Sequence, residues 1–299
     1  MSISSPGLAQ SVQTRLVRHA KVIGVDPNLV LARFAAERFL YRLSRSRHAE
    51  RFILNGGLML IVWFGEEIRS TRDADLLGYG DLSAEDLTGT FGEVCGLDVE
   101  PDGLIYDAAT IRVAAIRSED LYGGQRATLQ ARLRVQVDVG IGDDVIPEPE
   151  WIEYPSLLDL PRPRLRAYCP ETTIAEKVHA MVVLGTKNSR IKDFFDICRL
   201  ANGFGFDGAT LAESLRRTFQ NRHTPIPMEE PIGLTSAYWG DPMRAPQIRA
   251  FARRSSVQVG PNAGVEMLAL LRPFLLPILD DLRRGVSTKG KWMRGGPWR

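Results

Sequence analysis

The sequence predicts an α/β half followed by a helical half, and three observations set that division. A glycine pair, Gly56 and Gly57, falls between a short apolar run that reads as a strand and a longer one that reads as a buried helix. Between Leu104 and Gly140 the pattern changes to short alternating runs, of which 111–116 and 133–139 are the clearest strands. After Pro170 the apolar residues return to helical spacing. A Pro- and Arg-rich stretch over 147–163 separates the halves and marks the candidate boundary.

Taken in order, the chain opens helically. Leu29, Leu31, Phe34, Phe39, Leu40 and Leu43 recur at helical spacing, while Arg33, Arg38, Arg42, Arg45 and Arg47 occupy much of the remainder. A solvated face and an RNA-facing surface both fit those arginines. A strand over 51–55, the glycine pair, a helix over 58–64 and a turn feeding a strand over 69–77 follow. Residues 83–95 read as a helix with Ser83 as its N-cap. In the strand over 133–139, Leu133, Val135, Val137 and Val139 share one face, which puts Asp138 on the polar one. Helices are expected over 172–184, 190–201, 209–219, 246–253 and 264–284. The organisation expected is a helical segment over 1–48, an α/β core over 49–160, a helical domain over 161–285 and a basic flexible tail over 286–299.

Composition excludes several classes. The 299 residues are 44% hydrophobic and 25% charged with a net charge of +2, an ordinary globular balance. Cys95, Cys169 and Cys198 are scattered and odd in number, which speaks against a disulfide framework or a zinc knuckle. No apolar leader or bilayer-length run is present, so a cytoplasmic protein with no membrane partner is expected. His19, His48, His179 and His223 do not fall at metal-ligand spacing, and His179 reads as structural.

The chemistry-bearing residues begin with Asp73 and Asp75. Two apart on a strand, their carboxylates project from one face, a donor pair suited to a hard divalent cation that also takes substrate phosphates. Gly56 and Gly57, between strand and helix, let backbone N–H groups approach a triphosphate. Asp138 offers a third carboxylate, which could orient or deprotonate an attacking hydroxyl; Asp143 and Asp144 lie close by in the sequence. Strand, glycine turn, helix, Asp-x-Asp strand and a later strand Asp is the order of the polymerase β-like nucleotidyltransferase fold. Thr173 and Glu176 look like a capping box that starts a helix. Lys177, just inside it, can snorkel to water or meet a phosphate. Lys192, Asp193 and Asp196 stand at helical contact spacing, as a surface ion pair or as part of a nucleotide site.

The stretches 38–43, 52–57, 69–77, 176–181 and 188–196, carrying Arg69-x-Thr71-x-Asp73-x-Asp75 and Lys192-Asp193-x-x-Asp196, resemble the AbiEii/AbiGii toxin family, MenT-type toxins included. The resemblance implies a polymerase β-like nucleotidyltransferase core with a mixed sheet, followed by a helical C-terminal domain. It implies transfer of a nucleoside monophosphate from an NTP to RNA, at the tRNA 3′ end in related toxins, with Mg²⁺ or Mn²⁺ as cofactor and a cognate antitoxin as partner; a monomer is expected. By position, Asp73, Asp75 and Asp138 would be the metal carboxylates. Gly56, Gly57, Thr71 and Arg72 would bind the nucleotide, and Lys177, Lys192, Asp193 and Asp196 would close its pocket. Two positions depart from the pattern: Asn55 stands where many relatives carry lysine, and Ala74 replaces a larger aliphatic. A protein or small-molecule acceptor and a non-catalytic RNA- or nucleotide-binding module are the alternatives.

Overall fold

The computed structural model describes residues 6–65, 71–116, 123–131 and 133–299, and it divides into two compact units. The first comprises Met1–Gly142 and Glu150–Ala167; the second comprises Asp143–Pro149 and Tyr168–Arg299. The N-terminal helices therefore group with the α/β core, and the main division follows Ala167, later than the 160/161 boundary expected from proline content.

The first unit opens with α1 (Pro6–Ile23) and α2 (Pro27–Arg45). Asp26 caps α2 by accepting from the Asn28 N–H at 2.9 Å, with Pro27 in the first turn, where no N–H is needed. Then come β1 (Phe52–Asn55), α3 (Gly57–Phe64), β2 (Ala74–Gly78) and α4 (Ala84–Cys95). Ser83 caps α4, accepting from the Asp86 N–H at 3.2 Å, as the sequence predicts. An antiparallel meander follows: β3 (Asp107–Ala115), β4 (Gly124–Ala131) and β5 (Leu133–Ile141). The Pro- and Arg-rich stretch, the expected boundary, supplies β6 (Glu150–Glu153), and β7 (Arg164–Ala167) lies just beyond it.

These strands form one mixed sheet in the order β3-β4-β5-β2-β1-β7-β6, with β2/β5 and β1/β7 parallel and the remaining pairs antiparallel. Its core gathers Phe39, Leu40 and Leu43 of α2, Leu54 of β1, Ala74 and Leu76 of β2, and Val135, Val137 and Val139 of β5. Three of the five arginines on and beside α2 are neither a solvated face nor an RNA surface, while Arg45 and Arg47 are exposed. Arg33, Arg38 and Arg42 are buried, and Arg38 and Arg42 both clasp the buried Asp102, Arg42 at 2.6 and 3.1 Å and Arg38 at 3.1 Å. Burying the charges of Arg38 and Arg42 is tolerable because Asp102 gives both an opposite partner.

The second unit is built on helices: α5 (Pro170–Leu184), α6 (Ile191–Gly203), α7 (Gly208–Asn221), α8 (Ser236–Gly240), α9 (Arg244–Ser255) and α10 (Ala263–Arg284). Helix α5 starts at Pro170, not at the expected capping box. Thr172 instead exchanges hydrogen bonds with the Ile146 backbone, and Glu176 accepts from the Tyr168 hydroxyl at 3.0 Å. Strand β8 (Phe206–Asp207) pairs with β9 (Lys291–Trp292). That pairing ties down the expected flexible tail and buries Trp292 and Thr288, while most of its other residues stay exposed. The Trp292 ring is 2% exposed and its Nε1–H donates to the Ala201 carbonyl at 2.8 Å, while Trp298 stacks on Phe274 with ring centroids 6.0 Å apart. Among the described residues, no helix is long and apolar enough to cross a membrane.

Candidate active site

Position 56 accepts only glycine, for two reasons. Its φ of +69° lies in the left-handed region, where a Cβ is strained. A Cβ there would also sit 2.0 Å from Asp75 Oδ2 and 2.5 Å from its Cγ. The Asp75 side chain thus packs against Gly56 in the space that a Cβ would fill. Gly57 then begins α3, whose buried Leu58, Met59, Leu60 and Ile61 anchor it and whose first-turn N–H groups open beside that carboxylate.

Strand register assembles the rest. Asp75 of β2 lies opposite Asn55 of β1 on one side and opposite Asp138 of β5 on the other. Asp138 in turn lies opposite Arg126 of β4. Register partners show their side chains on the same face, with neighbouring strands about 4.8 Å apart. Asn55, Asp75, Asp138 and Arg126 therefore form one polar row across four adjacent strands, while Ala74, Leu76, Val137 and Val139 face the core. Asp73 precedes β2 by one residue and has the same parity as Asp75. Thr71 is partly exposed and Arg72 exposed in the segment leading to it. Arg69 lies outside the described residues.

Arg126 is the residue that sequence reasoning missed. Its guanidinium grips both Asp138 oxygens at 2.8 Å, and Gln136 adds long contacts at 3.3 and 3.4 Å. The Asp138 side chain is 18% exposed. This bidentate fork fixes the carboxylate plane, which a single point charge would leave free to rotate. Among the described residues, no three Asp, Glu, His or Cys side chains converge to hold a metal ion. Asp138 faces Arg126 instead. The donor set nevertheless suits a hard divalent cation, which needs one or two carboxylates and completes its shell with substrate oxygens and water. The Asp75 carboxylate in its glycine cradle meets that requirement, with Asp73 as its neighbour. Asp143, the sequence alternative to Asp138, is bound to Arg222 of the second unit at 2.9 and 2.7 Å.

Arg126→Ala should lower any activity of this row by about 10–100-fold, the usual loss when a partner that orients a ligand carboxylate is removed. Arg126→Lys should recover only part of it, because an ammonium cannot make the fork. Steady-state rates at matched folding, checked by circular dichroism, are the measurement; unchanged rates would remove Arg126 from the site.

In the second unit, Lys177 of α5 reaches Asp193 Oδ1 and Asp196 Oδ2 of α6, both at 2.8 Å. The three side chains are 14%, 8% and 1% exposed, so the surface ion pair weighed from the sequence is excluded. Lys192, expected beside Asp196 on α6, is exposed and pairs with no described residue.

Nearby, Arg222 bridges Asp143 and Glu176, at 2.7 and 3.2 Å. Burial pushes the Glu176 carboxyl up to about 7, against the pull of Arg222 and with a push from Asp143; the Tyr168 hydroxyl and Lys177 also pull it down. Burial and the Arg222 charge hold His179 down at about 4, and its Nε2 meets the Thr224 hydroxyl at 2.8 Å. A carboxyl raised on folding contributes stability below its unfolded value near 4.5 and loses it as pH rises through about 7. Glu176→Gln, which mimics the protonated acid, should therefore gain stability relative to the parent between pH 5 and 7.5, by on the order of 1 kcal/mol. A difference in melting temperature that stays flat over this window would contradict the assignment.

A model of the AbiEii nucleotidyl transferase toxin family, from type IV toxin–antitoxin systems, matches residues 38–264. The chain belongs to the AbiEii nucleotidyltransferase toxin family. The match spans the glycine turn, Asp73, Asp75, Asp138 and the Lys177 cluster. Two solved structures align with the chain. MenT4, a nucleotidyltransferase toxin from Mycobacterium tuberculosis H37Rv, aligns at 17% identity and a TM-score of 0.46, covering 91% of this chain and 99% of that one. An antigenic nucleotidyltransferase-like protein from Paracoccidioides brasiliensis aligns at 13% identity and a TM-score of 0.33, covering 74% and 90%. No curated protein sequence matches the chain. AbiEii membership makes the chain a nucleotidyltransferase toxin, an enzyme class that generally uses divalent metals.

Proposed function

We propose that this AbiEii toxin transfers a nucleoside monophosphate from an NTP to an RNA hydroxyl, with the tRNA 3′ end as the acceptor, and that its cognate antitoxin restrains it. The observation that carries the reading is the register that sets Asp75 between Asn55 and Asp138, with its carboxylate pressed against Gly56. Asp73 and Asp75, with Asp138 as the third carboxylate, would hold Mg²⁺, which when bound neutralises the triphosphate and the charge that develops on the transferred phosphoryl group.

The chain's own residues do the rest. The N–H groups at the start of α3 receive phosphate oxygens, and Gly56 lets them approach. Thr71 and Arg72 stand at the mouth of the same strand for further phosphate contacts. The acceptor hydroxyl oxygen bonds to the α-phosphorus as the bond to the bridging α–β oxygen breaks, and pyrophosphate leaves. The hydroxyl proton passes to Asp138, whose oxygens keep lone pairs beyond those given to Arg126. In the second unit, Lys177 with Asp193 and Asp196 is proposed to act on the nucleotide, and Lys192 to supply an exposed positive charge. Incubating the protein with Mg²⁺, total RNA and each α-labelled NTP in turn tests the proposal. Label should enter RNA of tRNA size from at least one NTP; label in protein, or in no macromolecule, would refute the RNA acceptor.

A further inference from the structure

Helix α9 carries charge in a way that no other helix of the second unit does. From Pro242 to Val265 the sequence contains four arginines and no aspartate or glutamate. Arg244 is buried and donates to the Asn188 and Thr186 carbonyls at 2.5 and 2.7 Å. Arg249, Arg253 and Arg254 are exposed and pair with no described residue. On the other helices of this unit several arginines are answered by a carboxylate of the unit: Arg216 and Arg217 by Glu213, Arg272 by Glu230, and Arg283 by Asp280.

The pattern is not accounted for by helix stability. Cations in a last turn complement the helix dipole, which accounts for Arg253 and Arg254. Arg249 is in mid-helix, and its neighbour four residues on is Arg253. Like charges at that spacing weaken a helix, a cost that an anion lying between them would remove. The surface there is also concave. Ser256 adopts the left-handed conformation (φ 55°, ψ 33°) and turns the chain back, so that the Val257 N–H donates to the Ala252 carbonyl at 3.0 Å. Helix and returning segment enclose an open hollow of about 560 Å³ lined by Arg249, Arg253, Ser256 and Gln258, over an apolar floor that includes Pro246 and Val257.

We propose that this hollow is a docking surface for the phosphate backbone of double-stranded RNA, a proposal that rests on the acceptor being RNA. Two guanidiniums four residues apart match bidentate phosphate recognition, with the Ser256 hydroxyl and Gln258 amide as further donors. The lining has no aromatic ring, so it offers no platform for stacking unpaired bases. That favours the regular backbone of a stem, recognised without regard to sequence.

The test is fluorescence anisotropy of the full chain against a labelled RNA hairpin and a labelled oligo(U) of equal length, over a salt series. Arg249→Ala/Arg253→Ala should bind the hairpin about tenfold more weakly near 150 mM salt, with the log–log salt slope reduced by about 1.5, as for two lost phosphate contacts. Oligo(U) binding should change less, and Arg249→Lys/Arg253→Lys should restore the salt slope but only part of the affinity, because an ammonium keeps the charge and loses the fork. Unchanged hairpin affinity and slope in the alanine variant, while the parent still binds and labels RNA, would overturn this surface and leave the proposed activity standing. Intact RNA binding with lost restraint by a coexpressed antitoxin would overturn it in favour of a protein-facing surface. A parent protein that neither binds nor labels RNA would refute the RNA acceptor and this surface with it.

Discussion

Asp75→Asn should abolish nucleotidyl transfer and leave the fold intact. The amide has the shape of the carboxylate, so it fits the space beside Gly56 and keeps the place opposite Asn55 and Asp138. What it loses is the negative charge that a hard cation requires. Removing one electrostatic contact to a developing charge typically costs about 10²–10³-fold, and loss of the cation would cost more. Gly56→Ala approaches the same site from the other side. Its Cβ would meet Asp75 Oδ2 at 2.0 Å on a backbone with φ +69°, so the carboxylate must move or the turn must open. Transfer should fall by a similar order. An Asp75→Asn protein that keeps more than about a tenth of the parental rate would remove Asp75 from the metal site.

Lys177→Met has the largest expected effect on stability. It leaves Asp193 and Asp196, 8% and 1% exposed, without the cation that each meets at 2.8 Å. Breaking a buried ion cluster by removing one sign costs about 3–5 kcal/mol. For a chain of this size that lowers the melting temperature by roughly 10 °C. Neutralising all three groups together, as Lys177→Met/Asp193→Asn/Asp196→Asn, should recover most of that stability, because no uncompensated charge stays buried. Transfer should not recover if Lys177 acts on the nucleotide. Recovery of both would make the cluster purely structural.

These residues also show what a sequence can reveal. The Gly56 turn was legible because it depends on local geometry, a positive φ, whereas Asp73 falls in the bend before β2, outside the strand alternation expected to pair it with Asp75. The Ser83 cap was legible for the same reason. Arg126 was not, because its strand alternates weakly and its role depends on pairing with β5, set by the sheet as a whole. Alternation placed Asp138 on a polar face, yet only the parallel β2/β5 register places it opposite Asp75. The α2 arginines misled because charge ordinarily signals solvent; Asp102, some sixty residues on, makes their burial tolerable. The C-terminal tail misled in the opposite sense, since a basic, glycine-rich composition hid a short strand whose Trp292 ring is buried.

The most direct measurement is the entry of α-labelled nucleotide into RNA, with Mg²⁺ and each NTP in turn, for the parent protein beside Asp73→Asn, Asp75→Asn and Asp138→Asn. The expected result is labelled RNA of tRNA size with the parent, none after chelation of divalent metal, and none with Asp73→Asn or Asp75→Asn. Label that persists undiminished in the aspartate variants, or no label in any RNA from any NTP, would contradict it.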